Sequence, residues 1–115
     1  MQDHIETIES GYEYLLAYAA QGKQTDHSSS GKPSEVRSIL TNMSEATLGI
    51  VDEFENGQSI MGWVVVDDAR KAHSAISLVL AQKDIGSELV DNLNASIHLR
   101  ALLTDLFLIS EAGGH

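Results

Sequence analysis

Residues 87–111 read SELVDNLNASIHLRALLTDLFLISE, and their pattern decides the fold. At about 100° per residue, Val90, Leu93, Ile97, Ala101 and Leu108 share one face of a helix. Leu99, Leu102, Leu103 and Leu106 fall roughly opposite, with Asp91, Asn94, His98 and Asp105 as a polar strip between them. A helix with one set of neighbours needs one apolar stripe. Two stripes imply burial on two sides. The reading is therefore a single helix over 87–111. Its first stripe faces the core, and its second, Leu99, Leu102, Leu103 and Leu106, needs either another subunit or an unusual central placement.

Three more segments with helical periodicity precede it. Ile5, Ile8, Tyr12, Leu15, Leu16 and Ala19 recur at three and four, predicting a helix over about 3–21. Asp3 and Glu6 have capping-box spacing, and Gly22 stands where a C-terminal cap would. Residues 22–33 are polar and form a loop. Pro33 then opens a second helix, which carries the stripe Val36, Ile39, Leu40, Met43, Thr47, Ile50, Val51 and Phe54 and stops at Asn56-Gly57. Val65, Ala69, Ala72, Ile76 and Val79 mark a third helix through Lys83, closed by Gly86. Its start is open between Ser59 and Val66, because Trp63-Val64-Val65-Val66 is a β-prone run. The expectation is an all-α, single-domain four-helix bundle over 1–115, with an irregular or extended piece near 60–66 as the alternative.

Composition removes several chemistries. The 115 residues contain no cysteine, which excludes disulfides, thiolate metal sites and thiol nucleophiles. Seventeen acids against seven bases give a formal charge of −10, unfavourable for a phosphate backbone, so no nucleic-acid partner is expected. Met1-Gln2-Asp3-His4 does not open a basic, apolar secretory leader, and no apolar run is long enough to span a bilayer. A cytoplasmic protein with no membrane partner is the expectation.

Little in the chain points to catalysis. Glu-x-x-His, the bundle metal motif, is absent, and His4, His73 and His98 have no acidic or histidine neighbour at helical chelate spacing. No metal, cofactor or catalytic residue is assigned. Asp68 is read as an N-terminal cap of the third helix, or else as a buried carboxylate paired with Arg100 or Arg37. Tyr14 and Tyr18, one turn apart and off the main stripe, would pack on a partner or line a pocket mouth, or, more ordinarily, pack against a neighbouring helix or their own subunit's edge. Lys71-Ala72-His73-Ser74-Ala75-Ile76-Ser77 resembles the site of histidine phosphotransfer domains, small acidic bundles with an exposed phosphorylatable histidine. The likeness covers about seven residues and lacks the glycine and the following base usual there. It implies phosphotransfer through His73.

The leading expectation is a small non-enzymatic protein that acts through protein–protein contacts as an adaptor, regulator or export chaperone. It would self-associate as a homodimer through Leu99, Leu102, Leu103, Leu106 and Trp63. Asp3, Glu6, Glu9 and Glu13, with no Lys or Arg in the first 22 residues, form an acidic stripe that is either solvated or a docking surface for a basic partner. A bundle holding a small molecule or cofactor between its helices is the alternative.

Overall fold

The computed structural model describes residues 1–27 and 31–113. Ser28, Ser29 and Ser30 of the polar loop, and Gly114 of the terminal glycine pair, lie outside the described residues. The described chain is helical throughout its regular structure and forms five helices, not four: α1 (Gln2–Ala19), α2 (Glu35–Glu55), α3 (Gly62–Leu80), α4 (Ser87–Ala95) and α5 (His98–Glu111).

The fifth helix comes from a break in the segment that the periodicity joins. Ile97 has φ 62°, in the left-handed region. The residues before it compete with helix formation: the Ser96 hydroxyl donates to the Leu93 carbonyl at 2.6 Å, and the Asn94 side chain leaves the helix to donate to the Leu15 carbonyl at 3.2 Å. A new helix starts at once, with the Ala101 amide donating to the Ile97 carbonyl at 2.8 Å. The break turns the chain about its own axis. α4 packs chiefly on α1, while α5 packs chiefly on α3. Leu99, Leu102, Leu103 and Leu106 are thereby between 0% and 5% exposed, inside the protomer's own core. Their expected role as a subunit interface is corrected accordingly. Ile97 and Leu108, expected in the core, point to solvent.

Consecutive long helices run antiparallel. Gly11 of α1 lies against the Met43 side chain of α2, and His4, near the start of α1, lies over Gly49. Arg37, near the start of α2, reaches the carbonyls at the end of α3, and Glu55, at the end of α2, pairs with Arg70. The core joins all five helices through Ile8, Leu15, Leu40, Met43, Ile50, Val65, Ala72, Ile76, Val90, Leu102 and their neighbours.

Three local readings also change. α1 starts at Gln2 with Met1 before it and no side-chain cap, so Asp3 and Glu6 form no capping box. α2 starts at Glu35, because the Ser34 hydroxyl accepts from the Arg37 amide and caps it; Pro33 stands just outside. α3 begins at Gly62, so the Trp63–Val66 run is helical and no extended piece forms at 60–66. Val65 is buried, with Val64 and Val66 half-buried beside it, and tertiary packing overrides the β preference of these residues.

Ile97 is β-branched, holds a left-handed backbone and leaves 59% of its surface exposed. It bears conformational cost with little burial to offset it. Ile97→Gly is expected to stabilise the fold by about 1 kcal/mol, read as a higher melting temperature by circular dichroism. A loss of stability would mean that residue 97 is not left-handed.

Candidate functional site

α3 turns one flank outward. Trp63, Asp67, Arg70, Lys71, Ser74 and Leu78 follow one another at helical spacing and are all exposed. Two open grooves run along this flank. One is bordered by Phe54, Gly57, Ser59, Trp63, Val66 and Arg70, the other by Asp67, Lys71, Ser74, Ala75, Leu78 and His98. Asp67 and Arg70 line both, so the grooves form one continuous surface. Large apolar side chains stand at its two ends, Trp63 at 75% exposure and Leu78 at 66%; Ile60 and Ile97, next in sequence to the groove residues Ser59 and His98, are exposed as well. Trp63 and Leu78 lie about 22 Å apart along the helix.

The middle of the surface is charged but neutral in sum. Arg70 pairs with Glu55 at 2.9 Å and Lys71 with Asp67 at 3.0 Å. Both pairs are exposed, so each contributes little to stability. Their effect is to cancel charge locally on a chain that is otherwise strongly acidic. The hydrogen bond to Asp67 moves the Lys71 ammonium upward from its ordinary range.

A second arrangement lies between α3 and α5. Asp68 is half-buried in mid-helix, six residues after the start of α3, so it caps nothing. It pairs with neither Arg100 nor Arg37. Asp105 of α5 is its neighbour, and burial above all, followed by the adjoining Asp68 carboxyl, pushes the Asp105 carboxyl up to about 7. Two neighbouring carboxyls cannot both ionise cheaply, which favours a proton held at the pair. Asp105 Oδ2 is buried without a hydrogen-bond partner.

The third arrangement is a polar clasp at the α1–α2 and α3–α4 turns. The Asp26 carboxylate, 2% exposed, accepts from Ser34 Oγ at 2.6 Å, from Arg37 Nε at 2.7 Å and from the Ile85 amide at 2.8 Å. Arg37 donates onward to the carbonyls of Leu80, Gln82 and Lys83. Beside it, the buried Tyr18 hydroxyl donates to the Ile85 carbonyl at 2.6 Å, and Ser87 is bonded both to Tyr18 and to Lys23. Tyr18 is thus a buried structural residue packed within its own protomer, the more ordinary of the expected placements, and lines no pocket mouth. Tyr14 stacks on it at 6.1 Å, and burial above all, then the Glu35 carboxylate, pushes the Tyr14 phenol up to about 12.

The remaining candidates are dispersed. Asp3 and Glu6 border an open groove between α1 and α2 with Thr7, Ser10, Gly11, Ile39 and Asn42, whereas Glu9 and Glu13 are exposed outside it. His73 is half-buried, unlike the exposed histidine of phosphotransfer domains. Among the described residues no group of three or more His, Asp or Glu is placed to hold a metal ion, and no helix is long and apolar enough to cross a membrane. Of the interface residues expected from the sequence, only Trp63 is on the surface. Ile60, Leu78 and the Asp68–Asp105 pair were not anticipated there. Leu78 lies off the apolar stripe of α3, which is a legible signal of exposure. Compared with protein-family models, with curated proteins and with solved structures, the chain matches none of them.

The clasp sets acid stability. Its hydrogen bonds, from Ser34, from the Ile85 amide and from Arg37, hold the Asp26 carboxyl down at about 2, against an ordinary value of 3.8. The folded state releases this proton more readily than the unfolded chain. The stabilisation is complete above pH 4 and disappears as pH falls through 2, amounting to about 2 kcal/mol. Asp26→Asn is expected to lower stability at pH 6 by about that amount and to flatten the acid limb between pH 4 and 2. Chemical denaturation across this range is the check, and an unchanged limb would remove Asp26 from the account.

Proposed function

We propose that this chain is a small non-enzymatic protein that works by protein–protein contact, and that the contact surface is the outward flank of α3. What supports the reading is the pair of apolar ends, Trp63 and Leu78, on one continuous surface whose four central charges cancel, with exposed Ile60 and Ile97 next in sequence to groove residues. Exposed tryptophan and large aliphatic side chains are the usual anchors of an interface. The buried leucines of α5 have no part in it.

A second copy of the chain is the partner that suits this surface. The flank has an apolar group at each end and a neutral middle. An antiparallel copy related by a two-fold axis brings Trp63 of one protomer towards Leu78 of the partner subunit. Elsewhere the formal −10 on each chain opposes association, so salt should strengthen the dimer by screening that repulsion. A basic partner would show the reverse dependence.

Sedimentation velocity at micromolar concentration tests the proposal. The wild type is expected to dimerise more tightly at 0.5 M than at about 0.05 M salt. Trp63→Ser and Leu78→Ser are each expected to weaken the dimer about 30-fold, the equivalent of about 2 kcal/mol, with an unchanged circular dichroism spectrum. Trp63 is the sole tryptophan, so its emission should shift to the blue as the dimer forms. A wild type that stays monomeric at high salt, with Trp63 emission independent of concentration, would contradict self-association.

A further inference from the structure

The α3–α5 contact contains a feature that interface packing does not require. α5 is joined to α4 through the single left-handed residue Ile97. It is held to α3 by the apolar residues Leu99, Leu102, Leu103, Leu106 and Ile109. Into that contact the two helices insert Asp105 and Asp68, carboxyl against carboxyl, with Asp105 Oδ2 buried and unpartnered. An aliphatic or amide pair would serve adhesion better, since a buried ionised carboxylate without a partner is costly.

No base neutralises the pair. On α3, Lys71 is one turn from Asp68 but is tied to Asp67, Arg70 is tied to Glu55, and His73 is half-buried. On α5 itself, His98 is half-buried two turns before Asp105 and Arg100 is exposed. α1 presents exposed Asp3, Glu6, Glu9 and Glu13 with half-buried His4, Tyr12 and Tyr14, and α4 presents exposed Glu88 and Asp91. The group that acts on Asp105 is Asp68.

We propose that the Asp68–Asp105 pair makes α5 the pH-sensitive element of the fold: a shared proton holds α5 against α3, and loss of that proton lets α5 open about Ser96–Ile97. The sign follows from the direction of the shift. The folded state retains a proton that the unfolded chain gives up near pH 4, so the stabilisation is complete below pH 4 and is lost as pH rises through about 7. This is opposite in sense to Asp26. Five leucine and isoleucine side chains still hold α5, so the response is local opening in a minority of molecules and not detachment. Because Ile97 and His98 move with the start of α5, opening also reshapes the groove beside Leu78.

Amide hydrogen exchange at pH 6 and pH 8, corrected for intrinsic rates, tests the switch on the intact chain. Protection of α5 is expected to fall about tenfold relative to α2 over this interval, the equivalent of one proton-linked unit. Asp105→Asn should abolish the difference, and Asp68→Asn should reduce it, since the burial of Asp105 remains, while both keep shape and packing. A carbon-detected titration of the Asp105 carboxyl should show a midpoint near neutrality. The proposal is overturned if α5 and α2 respond alike in the wild type, if Asp105→Asn retains the fall, if Asp68→Asn leaves it undiminished, or if Asp105 titrates in the ordinary carboxylate range.

Discussion

The turn at Ser96–Ile97 is the constraint on which the rest of the structure depends. A continuous helix over 87–111 would present leucines on two opposed flanks, and one chain could not bury both. One left-handed residue changes the phase of the helix, so that Val90 and Leu93 in α4 and Leu99 to Ile109 in α5 all face the same core. The conformational cost at Ile97 is about 1 kcal/mol, the scale for a non-glycine residue in this region. Burying a single leucine contributes more than that, and α5 buries four. The trade favours the break by a wide margin, which explains why a β-branched residue tolerates this position.

Electrostatics divide the molecule by environment. Asp26 and Asp105 are both carboxyls in polar contacts between helices, yet their proton affinities move in opposite directions. Asp26 meets a guanidinium, a hydroxyl and an amide, all donors, which satisfy the ionised form. Asp105 meets another carboxyl, and burial adds to the penalty. One site locks two loops together across the end of the fold. The other leaves α5 sensitive to pH. The acids of α1 differ from both: they are exposed, and among the described residues no Lys or Arg pairs with them.

Much of the architecture was legible in the residues. The stripes of α1, α2 and α3 predict those helices within a few residues, because each is a single uninterrupted face against the core. The break between α4 and α5 was encoded too, as a phase change after Asn94-Ala95-Ser96, but periodicity alone reads a phase change as a second face. The asparagines and serine at 92, 94 and 96 are the residues that weaken a helix locally, and they are where it ends. The clasp was not legible. Asp26, Arg37 and Ile85 are brought together by tertiary folding across long stretches of chain, and no local spacing announces them. The Asp68–Asp105 pair was hidden for the same reason, compounded by the placement of the α3 start four residues too late in one of the two readings.

With the leucines of α5 inside the protomer, the apolar side chains left at the surface include those of the α3 flank and its two ends, with Leu16, Leu48, Phe107 and Leu108 exposed elsewhere. That conclusion stands or falls with the direction α5 faces. Isotope-filtered nuclear Overhauser spectroscopy on a mixture of labelled and unlabelled chains tests it most directly. The account predicts that the methyl groups of Leu99, Leu102, Leu103 and Leu106 contact α3 within one chain, with carbon shifts that depart from helical values at Ile97 alone between α4 and α5. Contacts from these methyls to a second chain, together with helical shifts running unbroken through Ile97, would contradict it.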